Sequence, residues 1–214
     1  MHAKPSLDIS AERLSWGRLD WHAGEADAPL QALRRTVLKR DKQTCAFCGF
    51  KSQKFQEVHH LDHNHENCDL NNLVTACPFC HLCFHLGLAG IKKAATIIWC
   101  PESDQATLNN LARSIFVAVA AGGRREDAAR SLYNSLESRA VVTDEHLGTG
   151  ASDPARLGQG MLAISAEART TLAGRLHGFR LLPRMPAFPK QVQFWLAEEA
   201  RLGASSNKTG QAAA

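Results

Sequence analysis

Two Cys-x-x-Cys pairs, Cys45-Ala46-Phe47-Cys48 and Cys77-Pro78-Phe79-Cys80, constrain this chain more than any other feature. Two residues between thiols let both sulfurs of one turn reach a single ion, and two such turns complete a tetrahedral site. Gly49 follows the first pair, where a left-handed turn residue is easiest as glycine, and Pro78 sits inside the second. Four unrelated buried cysteines would not carry this punctuation. The expectation is a closed structural zinc site holding Cys45, Cys48, Cys77 and Cys80, which supplies much of the folding energy of a small module. The total of seven cysteines is odd, and the N-terminus shows no hydrophobic leader. Both argue against a disulfide framework. Cys68 and Cys100 read as bland, and Cys83 as core or as a competing thiolate.

The gap between the pairs is longer than in common zinc ribbons, which leaves room for a hairpin. A strand is expected over Lys54 to Leu61, a polar loop over Asp62 to Asn71, and a lead-in to the second pair over Asn72 to Ala76. A short helix is expected from His81 to about Leu88. His81 and His85 are four apart, so on a helix they share a face and can hold one divalent ion together. His63 and His65 lie in the loop, as solvated groups or as alternative ligands.

Upstream, Asp27 can cap a helix that runs to Arg40, with Pro29 in its first turn. Leu30, Leu33, Val37 and Leu38 fall on one face at helical spacing. From Arg34 to Lys54 the basic residues Arg34, Arg35, Lys39, Arg40, Lys42, Lys51 and Lys54 face one acid, Asp41. A run like this is ordinarily a solvated face, and it permits contact with phosphates. The formal charge of +4 permits nucleic-acid binding without demanding it.

The second half changes character. Leu108, Leu111, Ile115 and Val119 make an amphipathic helix stopped by Gly122-Gly123. Ala129, Leu132, Tyr133 and Leu136 make another. Asp153-Pro154 starts a third, and Val192, Trp195 and Leu196 sit on a last helix after Pro189. No chemical signature appears after residue 100. The chain therefore divides into an arm over 1–27 with Trp16 and Trp21, a zinc module over 28–90, a helical domain over 91–202 and a disordered tail over 203–214. The expected fold class is α+β: a zinc module followed by a mostly helical C-terminal domain. No stretch is long enough to span a bilayer, so the expected location is cytoplasmic, or peripheral at the inner membrane through partner proteins.

The order Glu57-Val58-His59-His60-Leu61-Asp62, then Asn71-Asn72-Leu73, then Cys80-His81-Leu82-Cys83-Phe84-His85 resembles the HNH endonuclease (ββα-metal) family over roughly residues 28–90. The resemblance implies that His59 joins His81 and His85 on a second divalent metal (Mg²⁺, Mn²⁺, Ni²⁺ or Zn²⁺). It implies that His60 acts as general base and that Asn72 orients the hairpin or His60. The reaction would be phosphodiester hydrolysis, with DNA as substrate.

The whole chain also resembles the IcmJ/DotN family of type IVB (Dot/Icm-like) secretion and conjugation systems. The stretches that carry this are Leu38-Lys39-Arg40-Asp41, Cys45 through Phe50, Asn72-Leu73-Val74-Thr75, Cys80 with Cys83, Gly150 through Pro154, and Arg180-Leu181-Leu182-Pro183. This resemblance implies a component of a coupling complex that associates with the coupling ATPase and other subunits. The family does not require the full histidine set, so its retention here keeps the nuclease as the alternative.

Overall fold

A computed structural model of the chain describes residues 28–64 and 66–211, together with residues 5, 7, 9 and 10. Trp16, Trp21, the capping role of Asp27 and the candidate ligand His65 lie outside the described residues. Helix α1 spans Ala28–Arg40 and ends on Lys39 and Arg40, which suit the negative end of the helix dipole. Its Val37 is fully buried in a small cluster with Val58 and Leu73 of the hairpin. Two of its arginines are used inward. Arg34 Nη2 donates to the Gln56 carbonyl at 2.6 Å. Arg40 donates to the Leu70 and Leu73 carbonyls, each at 2.6 Å, and pairs with Asp41. The basic run is therefore only partly a solvated face, because these two guanidinium groups satisfy backbone carbonyls that the hairpin leaves open.

Strands β1 (Glu57–His60) and β2 (Leu73–Ala76) pair antiparallel, with Glu57 opposite Ala76 and His60 opposite Leu73. β1 is shorter than the expected Lys54 to Leu61, because Phe55 takes a left-handed backbone, φ 65°. The far edge of β2 is closed by side-chain and knuckle contacts. Asp41 accepts from Thr75 N, and Ala46 N donates to Thr75 O.

Helix α2 covers Pro78–Leu82 and α3 covers Leu86–Ile91. The single helix expected from His81 to about Leu88 is thus broken at residues 83–85. The arm supplies the reason. Ser10 N takes the Cys83 carbonyl and Ser10 O takes Leu86 N–H, so these groups cannot join a continuous ladder.

The second half holds α4 (Gln105–Ala121), α5 (Glu126–Glu137), α6 (Ala140–Leu147), α7 (Pro154–Ala163), α8 (Ala166–Arg175) and α9 (Pro189–Gln211). It also holds a two-stranded antiparallel sheet of β3 (Ala95–Trp99) and β4 (Phe179–Pro183), which the reading of this half as helical did not include. On α4, Leu108, Ile115 and Val119 are buried as expected. Leu111 is 37% exposed, and Leu132 on α5 is 44% exposed, so the buried stripes are narrower than the apolar pattern. Asp153 caps α7 by accepting from Ala155 N. α9 continues to Gln211, into the stretch expected to be a disordered tail; extending an existing helix is far easier than nucleating one.

One apolar core joins the elements that carry the cysteines to α4 and α9. Phe79 of α2 is its hub, with ring centroids 5.7 Å from Phe116, 4.8 Å from Phe188 and 5.4 Å from Trp195. Ser52, beyond the first knuckle, donates to Glu198 of α9 at 3.1 Å. These contacts seat the first knuckle and α2 against α4 and α9. Among the described residues, no helix is long and apolar enough to cross a membrane.

Candidate metal centres

Each cysteine pair is shaped by its own turn. In the first, Gly49 N donates to the Cys45 carbonyl at 2.9 Å and Gly49 takes φ 75°, the left-handed turn expected there. In the second, Cys77 is the N-cap of α2, Pro78 holds the first turn, and Cys80 follows on the helix. The structure brings Cys45, Cys48, Cys77 and Cys80 together with their sulfurs all within 4.8 Å of one another. The Cys48 and Cys77 sulfurs are 3.6 Å apart. A regular tetrahedron with zinc–sulfur bonds of about 2.3 Å has edges of about 3.8 Å, so the donor set fits a structural metal such as zinc.

All seven cysteines are free thiols. Within the cluster, hydrogen bonding with Cys48 pushes the Cys45 thiol far down, while hydrogen bonding with Cys45 drives Cys80 far up. A divalent cation at the centre of the four sulfurs would let all of them become anionic. Cys83 is not a fifth ligand. Its thiol donates to the Phe79 carbonyl at 3.3 Å, and burial pushes its pKa up to about 12.

A second cluster adjoins the first through α2, which carries both Cys80 and His81. Successive side chains of a strand alternate between faces, so Glu57 and His59 share one face of β1. His59, His81 and His85 come together with ligand atoms within 4.8 Å of one another. His85 reaches this position from the N-cap of α3 rather than from one helix shared with His81. The Nε2 atoms of His81 and His85 are 3.2 Å apart, close to the edge of about 3.3 Å that zinc–nitrogen bonds of about 2.0 Å would give.

Glu57 Oε2 meets His81 Nδ1, which turns Nε2 toward the centre of the cluster. Sequence reasoning missed Glu57. The available signal was an acid two residues before His59, on the same strand face. His59 stacks on Phe84, centroids 4.1 Å apart, and burial, followed by the neighbouring histidines, pushes its pKa down to about 2. It is therefore neutral, as a ligand must be. The His81 side chain keeps 21% exposure, so the cluster opens to solvent there. His63 is exposed, with its ring 5.3 Å from that of His59, at the rim of the cluster.

His60 and Asn72 are placed differently. His60 lies opposite Leu73 in register, so its side chain belongs to the strand face that packs on α1. It is 3% exposed. Asn72 bonds Asp62 and Asn67: its Oδ1 accepts from Asp62 N at 3.0 Å, and its Nδ2 donates to Asp62 Oδ1 and to the Asn67 carbonyl. It ties down the loop between the strands.

A groove of about 1170 Å³ runs between residues 50–53, α4 and α9. Phe50, Val117, Ala118 and Trp195 supply its apolar floor, and Arg124 and Arg125 stand on its rim.

No protein-family model matches the chain. The chain is 34% identical over 193 residues to the type 4 apparatus protein DotN of Legionella pneumophila, and the alignment covers 89% of each chain.

Proposed function

The chain belongs to the DotN family, and on that premise we propose that it is a zinc-stapled subunit of a type IV secretion coupling complex, seated on the coupling ATPase. The observation that carries this reading is the span of the similarity. A shared zinc module alone would account for residues 28–90, whereas the match covers 193 residues and so takes in the helical half. Residues 91–202 are then the docking part, and 28–90 the module that the four-cysteine site holds in shape. The groove between α4 and α9 suits an amphipathic helix of the ATPase. Its apolar floor would take the helix face, and the cationic rim at Arg124 and Arg125 would meet acidic flanks. Affinity purification of the tagged chain from a host encoding the whole secretion locus tests this. The ATPase should co-purify at low salt and be lost when the exposed rim is reversed by Arg124→Glu together with Arg125→Glu. Recovery of the isolated monomer alone would contradict the reading.

A second reading is favoured by the His59–His81–His85 cluster and its Glu57 brace. Here residues 28–90 form an HNH-like ββα-metal module that nicks DNA. A divalent ion held by the three imidazoles would stabilise charge on a scissile phosphate. His60 would take the proton from water. Lys39, Lys42, Lys51 and Lys54 would meet the DNA backbone. The burial of His60 on the face toward α1 weighs toward the scaffold. Plasmid nicking under Mg²⁺, Mn²⁺ or Ni²⁺, abolished by His60→Ala with zinc content unchanged, would establish the nuclease. No nicking with any of these metals would leave the scaffold alone.

A further inference from the structure

Helix α4 touches the cysteine cluster with hydrogen-bond donors. Arg113 Nη2 lies 3.2 Å from Cys77 Sγ, and Asn109 Nδ2 lies 3.3 Å from Cys80 Sγ. Between them, Asn110 Nδ2 donates to the Cys48 carbonyl at 3.1 Å, and its Oδ1 accepts from Arg113 Nη1 at 2.6 Å. Three residues of one helix thus reach three of the four ligating cysteines. Asn109 is fully buried and Arg113 is 5% exposed.

A buried guanidinium is costly unless a counter-charge meets it. The Arg113 guanidinium sits 3.6 Å from the Phe50 ring centroid and 5.2 Å from those of Phe79 and Trp195. Among the described residues, its hydrogen bonds go to Asn110 and to sulfur, and none goes to a carboxylate. Four thiolates around one divalent ion carry excess negative charge, and Arg113 is the cation placed against it. Asn109 is held for its task. Its Oδ1 accepts from Gln105 Nε2 at 2.9 Å, which leaves Nδ2 aimed at Cys80. Gln105 is fixed in turn by both backbone polar groups of Leu181 in β4.

We propose that Arg113 and Asn109 are positioning residues of the zinc centre: their N–H···S bonds fix Cys77 and Cys80 and offset the thiolate charge, so zinc retention depends on how α4 is seated. This inference rests on the zinc reading of the four-cysteine site. It assigns the helical half a role in metal binding as well as in docking.

The test uses the full chain in its Zn²⁺ and Co²⁺ forms. Two quantities are read: the sulfur-to-cobalt charge-transfer band, and the rate of zinc transfer to excess EDTA. A sulfur lone pair that loses its N–H partner rises in energy. Arg113→Met and Asn109→Leu should therefore each move the band to lower energy and release zinc about tenfold faster, the lower end of the range for outer-sphere partners. Arg113→Lys keeps a charge and a donor and should recover part of both effects. Val192→Ala, which opens a cavity in the same core away from sulfur, should lower the melting temperature and leave the band in place. If Arg113→Met does not fold, Asn109→Leu decides alone. An unchanged band and release rate in folded Asn109→Leu would overturn the proposal. A wild-type chain that binds neither metal would overturn the zinc reading itself, a distinct result.

Discussion

The cysteine cluster and the histidine cluster share the short helix α2, through Cys80 and His81, yet they have opposite relations to solvent. Cys45, Cys77 and Cys80 are buried, and the sulfurs of Cys77 and Cys80 take hydrogen bonds from Arg113 and Asn109 on the buried face of α4. Nothing in that arrangement leaves a position for a substrate, as expected of a structural site. The histidine cluster has three imidazoles that could hold a metal, a carboxylate behind His81 and an exposed side. A closed set stabilises the fold, whereas an open set can exchange its ion and admit a phosphate oxygen.

The largest effect expected from breaking the contrast is on the closed side. Cys77→Ala should abolish zinc retention and unfold the module, since structural zinc contributes on the order of 10–16 kcal/mol in small zinc domains. Metal analysis and a circular-dichroism melt check this, and a variant that keeps both zinc and melting temperature would show that the cluster is not the staple. On the open side, His81→Ala should leave zinc content intact and eliminate binding of Mn²⁺ or Ni²⁺ titrated into zinc-loaded protein. Binding that survives the substitution would remove His81 from the second centre.

Smaller effects sharpen the picture. Glu57→Gln keeps the shape of the side chain and removes its charge, so calorimetry should record about tenfold weaker binding at the histidine site. An unchanged affinity would make Glu57 a bystander. The smallest effect concerns the loop. Hydrogen bonds from Asn64 N, then from the Asn67 and Asn72 side chains, hold the Asp62 carboxyl down to about 2, against an ordinary value of 3.8. A depressed carboxyl stabilises above its unfolded pKa and loses that contribution as pH falls to its folded one. The protection of the Asn64 amide, taken as its exchange rate relative to the intrinsic rate at each pH, should therefore be full above pH 3.8 and fall as pH drops toward 2. Protection that is flat across that window would mean the carboxylate does not hold the turn.

The two clusters of candidate ligands were more legible in the sequence than the frame around them. Cys-x-x-Cys spacing, Gly49 and Pro78 act within a few residues, and so does the strand alternation that turns His59 and His60 to opposite faces. The features that escaped depend on distant partners. The helix break at 83–85 needs Ser10, whose contribution cannot be read near His81. The run Ala95–Trp99 is apolar except for Thr96, a short pattern that a buried helix and a buried strand share, and its partner β4 lies far along the chain. Arg113 and Asn109 sit in a helix whose apolar stripe predicts packing; only the fold reveals that sulfur is what they face.

Native mass spectrometry of the full chain, before and after dialysis against EDTA, tests the central contrast most directly. One zinc should survive dialysis in the wild type and in His81→Ala, and a second ion should bind only the wild type and be removed. Loss of every ion at the same rate, or a chain that never holds zinc, would contradict that contrast.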